Sequence, residues 1–141
     1  MKILLCTDGS KFSQKALEET VVIAKGCNVN EVAIIHVHER YDPLPTIPNE
    51  SIRWIMQEHK KEGEKILLEA LKIFEGKNIK AHTILKEGRP ADTIVRVARE
   101  EGFDMIVIGS RGLGGLKKLF LGSVSNAIIQ EVVNCSVLVV K

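Results

Sequence analysis

Aromatic residues are scarce: four Phe, one Trp and one Tyr among 141 residues, so any core must be assembled mainly from Val, Ile, Leu and Ala. Cysteine is equally thin. Cys6, Cys27 and Cys135 are odd in number and far apart, with no Cys-x-x-Cys pair, which excludes a disulfide framework or a zinc ribbon and leaves the expectation of three reduced, mostly buried thiols. Charge of one sign is missing too. Twenty basic against 18 acidic residues give a net charge of +2, and their scatter along the chain argues against nucleic acid or a membrane surface as the main partner. No apolar run approaches the roughly 20 residues a membrane span requires. Met1 runs almost at once into Lys2-Ile3-Leu4-Leu5 without the charged leader and cleavage site of a signal peptide, so the expected location is the cytoplasm.

What is present is a globular composition, 45% apolar and 27% charged, in a chain long enough for one domain spanning 1–141 that buries roughly two-thirds of its unfolded surface. Lys2 to Thr7 reads as a strand buried on both faces, ending at the turn cluster Asp8-Gly9-Ser10. From about Ser13, Ala16, Leu17, Val21 and Ala24 fall at helical spacing and Gly26 stops the pattern. Val32 to Val37 is a second strand. Pro43, Pro45 and Pro48 then mark an extended connection. A long helical pattern begins at Ser51, carries Ile52, Ile55, Met56, Ile66, Leu67, Ala70, Ile73 and Phe74 on one side, and ends near Gly76. Gly63 in its middle is a weak point or a close contact, and Trp54 reads as an apolar anchor.

Ile79 to Leu85 is the third strand. Pro90 suits the first position of the next helix, and Gly102 its left-handed cap. Asp104 to Ile108 is the fourth strand, a helix starts near Ser123, and Val137 to Val140 is the fifth strand. This alternation predicts an α/β fold, a single open five-stranded parallel sheet with helices on both faces. Periodicity leaves the strand orders 3-2-1-4-5 and 2-1-3-4-5 both open. In either, a ligand binds beyond the carboxyl ends where the order reverses, and in the first order Asp8 and Gly109 face each other there.

The most informative segment runs from Gly109 through Ser110, Arg111, Gly112 and a further glycine pair to Gly122 and Ser123, directly after a strand and before a helix. Glycines bring backbone N–H groups close to a ligand, the helix start adds a partial positive end, and Ser123 adds a hydroxyl. Such a site suits phosphate oxygens. The plainer reading is a loop whose glycines only make turns. Neither Gly-x-x-x-x-Gly-Lys-Ser/Thr nor Gly-x-Gly-x-x-Gly is present, so these residues indicate an anion site without naming the anion. Gly122 reads as a position where a side chain would take the anion's place, at a backbone angle only glycine tolerates. Lys117, Lys118 and Arg111 are candidate phosphate contacts. His36 and His38 share one face of the second strand, but no matching ligand spacing makes them a metal pair, and His36 reads as core packing.

Gly109, Gly112, Gly122 and Ser123 fit the spacing Gly-x2-Gly-x9-Gly-Ser/Thr, and here the chain resembles the ATP-binding members of the universal stress protein family. The resemblance extends over Lys2-Ile3-Leu4-Leu5 with Asp8-Gly9-Ser10, Ile35-His36-Val37, Gly88-Arg89-Pro90 and the terminal Val137-Leu138-Val139-Val140. It implies a Rossmann-like strand order 3-2-1-4-5, ATP accompanied by Mg2+ or Mn2+ carried on its phosphates, Asp8 against the adenosine part and the Val37 backbone at the adenine edge. It also implies that Gly109, Gly112, Gly122 and Ser123, with Arg111 and the following Val124 and Ser125, hold ribose and phosphates, and that the last strand builds a homodimer. Cys6 departs from the family, which often has proline there.

A nucleotide-binding regulatory module, acting through an unidentified protein partner in a stress response, is the first functional expectation. Slow ATP hydrolysis or phosphotransfer is the second. The segment from Gly109 to Gln130 contains no Asp or Glu, so the phosphate loop itself offers no carboxylate to ligate a metal or orient water. No Gly-x-Ser-x-Gly elbow is present either. No catalytic residue and no protein metal site is assigned.

Overall fold

The computed structural model describes residues 1–40, 48–113 and 121–141. Strands β1 (Lys2–Cys6), β2 (Glu31–His38), β3 (Ala81–Glu87), β4 (Met105–Gly109) and β5 (Ser136–Val140) alternate with helices α1 (Lys11–Gly26), α2 (Asn49–Glu75), α3 (Pro90–Glu100) and α4 (Ser123–Glu131). All strand pairs are parallel. The order is β3-β2-β1-β4-β5, which decides between the two open topologies. The chain steps outward from β1 to β3, then crosses back to the far side of β1 to lay down β4 and β5. The order therefore reverses between β1 and β4.

The centres of the inner strands β1, β2 and β4 are continuously apolar because each face of the sheet is covered. Ile3, Leu5, Val32, Ile34 and Val107 pack on one face against Ala16 and Leu17 of α1 and Leu67, Ala70 and Phe74 of α2. Leu4, Cys6, Ala33, Ile35, Ile106 and Ile108 pack on the other against α3 and Ile128 of α4. With few aromatics, Phe74 and Phe103 are the largest core side chains, one in each cluster, each worth about 1.5–3 kcal/mol of burial.

Local signals set most boundaries. Ser10 caps α1 by accepting the Ser13 N–H (3.2 Å), so the helix starts at Lys11 and not at Ser13. Gly102 takes φ +68° after α3, and the Phe103 N–H returns to Ala98 O (2.9 Å), closing a Schellman turn. α2 ends at Glu75 as expected, but the left-handed residue is Asn78 (φ 58°), not Gly76. The Ile79 N–H donates to Phe74 O (3.0 Å) and belongs to that turn, so β3 starts at Ala81.

Two expectations are corrected and one open choice is decided. Trp54 is 63% exposed; it stands two residues from buried Ile52, which rotates it about 200° round the helix to solvent. Only Cys6 is fully buried, while Cys27 is exposed and Cys135 partly so. Gly63 is a close contact, because a Cβ there would stand 2.7 Å from the His36 ring and 2.8 Å from Leu85. Pro43 and Pro45 lie outside the described residues.

Candidate functional site

A cavity of about 860 Å3 opens where the strand order reverses, and Asp8, Val37, Gly109, Arg111, Gly112, Gly122, Ser123, Val124 and Ser125 all line it. It bends over the carboxyl edge of the sheet. On the α3 and α4 side its walls are apolar, with Ile35, Val37, Ile94, Ile108 and Val124. On the α2 side they are polar, with His36, His38, Glu39, His59 and Glu62.

Asp8 leaves the end of β1 and bridges two segments 105 residues apart. Its Oδ1 accepts the Ser10 N–H (2.9 Å) and its Oδ2 the Leu113 N–H (3.2 Å). Ordinary turn chemistry accounts for the first bond. The second ties β1's exit to the glycine-rich loop.

Val37 offers its peptide group. The N–H and C=O of a parallel strand residue point to one side, and alternate residues point to opposite sides. Ile35 O takes the Thr7 N–H on the β1 side (3.0 Å), and His38 O takes the Gly88 N–H on the β3 side (3.0 Å). Val37 therefore points toward β1, which has already ended at Cys6. Its N–H and C=O face the gap, where an amide-like edge can pair with both.

The motif glycines do something the sequence did not indicate. A Cβ on Gly109 would stand 2.6 Å from the Phe12 carbonyl carbon, and one on Gly112 would stand 2.5 Å from Asp8 Oδ2. Gly109 lets α1 close against β4, and Gly112 lets the loop reach the carboxylate. Both make room for the protein itself. Gly122 has φ −73°, an angle open to any residue, which overturns the expected backbone constraint. Its Cβ would sit only 3.3 Å from Arg111 Cα and 3.4 Å from Ser110 O.

Gly122 is the N-cap of α4 and supplies no side chain to cap it. The first helical N–H to find a carbonyl is that of Asn126, on Gly122 O (3.0 Å). The N–H groups of Ser123, Val124 and Ser125 precede it, at the partial positive end of the helix. Ser125 does not fill the gap, since its hydroxyl hydrogen is shared between Ser110 O (3.1 Å) and Gly122 O (3.0 Å). Ser123 is exposed at the cavity. Arg111 lies over the Phe12 ring, its guanidinium carbon 5.5 Å from the centroid, and its buried Nε has no hydrogen-bond partner among the described residues. Lys117 and Lys118 lie outside the described residues.

Cys6 also lines the cavity. Burial first, then the nearby Cys135 and Asp8, pushes its thiol up, which favours the protonated form over the thiolate. His36 is not simple core packing: it is half-buried and its Nδ1 lies 2.8 Å from Thr7 O. Sequence reasoning missed the α2 wall. His59, Glu62 and Ile66 at i, i+3 and i+7 form a helical stripe that could have revealed it. It also missed Phe12, the support of Arg111. Among the described residues no group of three His, Cys, Asp or Glu side chains is placed to hold a metal ion. No helix of the described residues is long and apolar enough to cross a membrane.

The family model of the universal stress protein family matches residues 1–141. The chain belongs to that family. It is 40% identical over 147 residues to the universal stress protein YxiE of Bacillus subtilis, covering 99% of this chain and 98% of that protein. The solved structure of protein MJ0577, a universal stress protein of Methanocaldococcus jannaschii, superposes with a TM-score of 0.87 at 32% identity, over 99% of this chain and 94% of the other. A family protein from Arabidopsis thaliana, solved with AMP bound, shares the fold with a TM-score of 0.73 at 22% identity, over 100% of this chain and 91% of the other.

Proposed function

We propose that this universal stress protein binds an adenine nucleotide, ATP with a divalent ion, and serves as a nucleotide-dependent regulatory module in a stress response. The observation that carries the proposal is that one cavity is lined both by the Val37 peptide edge, unpaired among the described residues, and by the start of α4, which has no side-chain cap among them. The base lies between the apolar walls with its amino-purine edge on Val37, Asp8 faces the ribose, and the phosphates meet the N–H groups of Ser123 to Ser125, the Ser123 hydroxyl and Arg111. A family relative of the same fold is solved with AMP, which supports the adenine assignment. With no metal-holding cluster among the described residues, Mg2+ or Mn2+ would travel on the phosphates.

Competition titration tests the base. ATP is expected to bind more tightly than GTP, and mass spectrometry of the gently purified protein is expected to find adenine nucleotide. Equal or tighter GTP binding would leave only a phosphate site.

Turnover is the second reading, because Asp8, Glu39 and Glu62 do bring carboxylates to the cavity. Glu39 follows β2 and Glu62 stands on α2, away from the glycine loop in the chain, and Asp8 already accepts two backbone N–H groups. Hydrolysis should stay far below the roughly ten per second of a typical enzyme. A robust multiple-turnover rate would move the hydrolase reading ahead.

The proposal extends to a homodimer through β5. This edge strand keeps Val137, Leu138, Val139 and Val140 only partly covered, and Val133 nearby is 74% exposed. Val139→Pro should remove a ladder donor and lower the mass in solution to that of a monomer. A folded variant that stays dimeric would place the interface elsewhere.

A further inference from the structure

We infer that His36, seated against Gly63, is the positioning residue that sets Asp8 for ligand. Thr7 is the last residue before Asp8, and its N–H makes the final bond to β2, on Ile35 O. Its carbonyl would next accept from residue 37 in a continuing ladder, but the chain turns away there to form the cavity floor. The His36 side chain takes that carbonyl instead, with Nδ1 2.8 Å from Thr7 O. A carbonyl only accepts, so Nδ1 carries the proton, and the bond fixes the peptide plane joining Thr7 to Asp8. From that fixed plane Asp8 reaches the Ser10 and Leu113 N–H groups and faces the ligand.

The ring can sit there only because α2 carries no side chain at residue 63, where a Cβ would stand 2.7 Å from His36 Cδ2 and 3.3 Å from Nε2. A glycine in a helix interior costs about 1 kcal/mol relative to Ala, and the room it gives the imidazole accounts for its presence. Freeing the Val37 peptide and holding Thr7 are thus two sides of one arrangement: a side chain replaces the ladder bond, and the backbone it displaces becomes available to ligand.

The binding arm of the test rests on the nucleotide reading above; a second arm does not. His36→Leu should weaken adenosine and ATP alike by about tenfold, a loss suited to a charged group moved out of place. His36→Asn, whose amide presents an N–H near the position of Nδ1, should return both affinities close to the parent. The double variant His36→Leu with Asp8→Asn should lose little more than Asp8→Asn alone, since both changes act through one carboxylate. Amide hydrogen exchange without nucleotide supplies the independent arm: the Ser10 and Leu113 N–H groups should exchange faster in His36→Leu and return to parent rates in His36→Asn.

Gly63→Ala keeps the histidine and displaces its ring, so it should shift exchange in the same direction even if His36→Leu fails to fold. Equal impairment in the Leu and Asn variants, additive losses with Asp8→Asn, or unchanged exchange at Leu113 would each overturn the inference. If the parent protein binds no adenine nucleotide, the proposed function falls, and the exchange arm alone decides the role of His36.

Discussion

α1 and α4 both begin at the carboxyl edge of the sheet beside the same cavity, yet their first turns are finished differently. α1 caps itself: Ser10 accepts the Ser13 N–H and Ser10 O takes that of Gln14 (3.0 Å). α4 starts at a glycine with no side-chain cap, and its hydroxyl at Ser125 is turned back onto Ser110 and Gly122. Two helix starts, each with a partial positive end, therefore present different surfaces to the cavity. The first is a side-chain-capped structural joint, and the second, without a side-chain cap among the described residues, is where the proposed phosphates would bind.

The harshest way to break this contrast is to unseat α1 altogether. In Gly109→Ala the new methyl would meet the Phe12 backbone at 2.6 Å, and a rigid helix cannot give way as a side-chain tip can. A loss of about 3 kcal/mol in urea unfolding is expected, with ligand binding lost as a consequence of the fold. Stability equal to the parent would mean that α1 slides freely over β4.

Gly122→Val acts on α4 instead. Its φ of −73° suits valine, but the new side chain would press on the Arg111 and Ser110 backbone, so the fold should survive with a loss of about 1 kcal/mol while the side chain crowds the helix start. ATP affinity should fall at least tenfold, about 1.4 kcal/mol, with adenosine affected less. A folded variant that binds ATP like the parent would send the triphosphate elsewhere.

The smallest effect sharpens the comparison from the other side. Ser10→Ala removes the cap of α1 and should cost about 1 kcal/mol of stability, leaving the ratio of ATP to adenosine affinity unchanged. A changed ratio would show that α1 also serves the phosphates.

Much of this was legible in the residues. Pro90 and Gly102 bracketed α3 because both act through local backbone angles. The uninterrupted Val, Ile and Leu of β1, β2 and β4 announced a sheet covered on two faces. The spacing from Gly109 to Ser123 marked the region that lines the cavity. Boundaries slipped where a side chain or a turn residue decided them, as at Ser10 and Asn78. Trp54 was misplaced because hydrophobicity alone does not say which side of a long helix is covered.

By itself the sequence determined the element order, the apolar patterning and the positions of caps and glycines, all properties of neighbours along the chain. Tertiary structure alone decided why Gly109 and Gly112 are glycines, since their reasons are Phe12 and Asp8, about 100 residues away. It also decided that the Val37 peptide has no backbone partner among the described residues, because the chain turns away after Thr7, and that the His36 ring takes the Thr7 carbonyl. Hydrogen bonds and close packing act through space, and only the folded sheet brings those partners within reach.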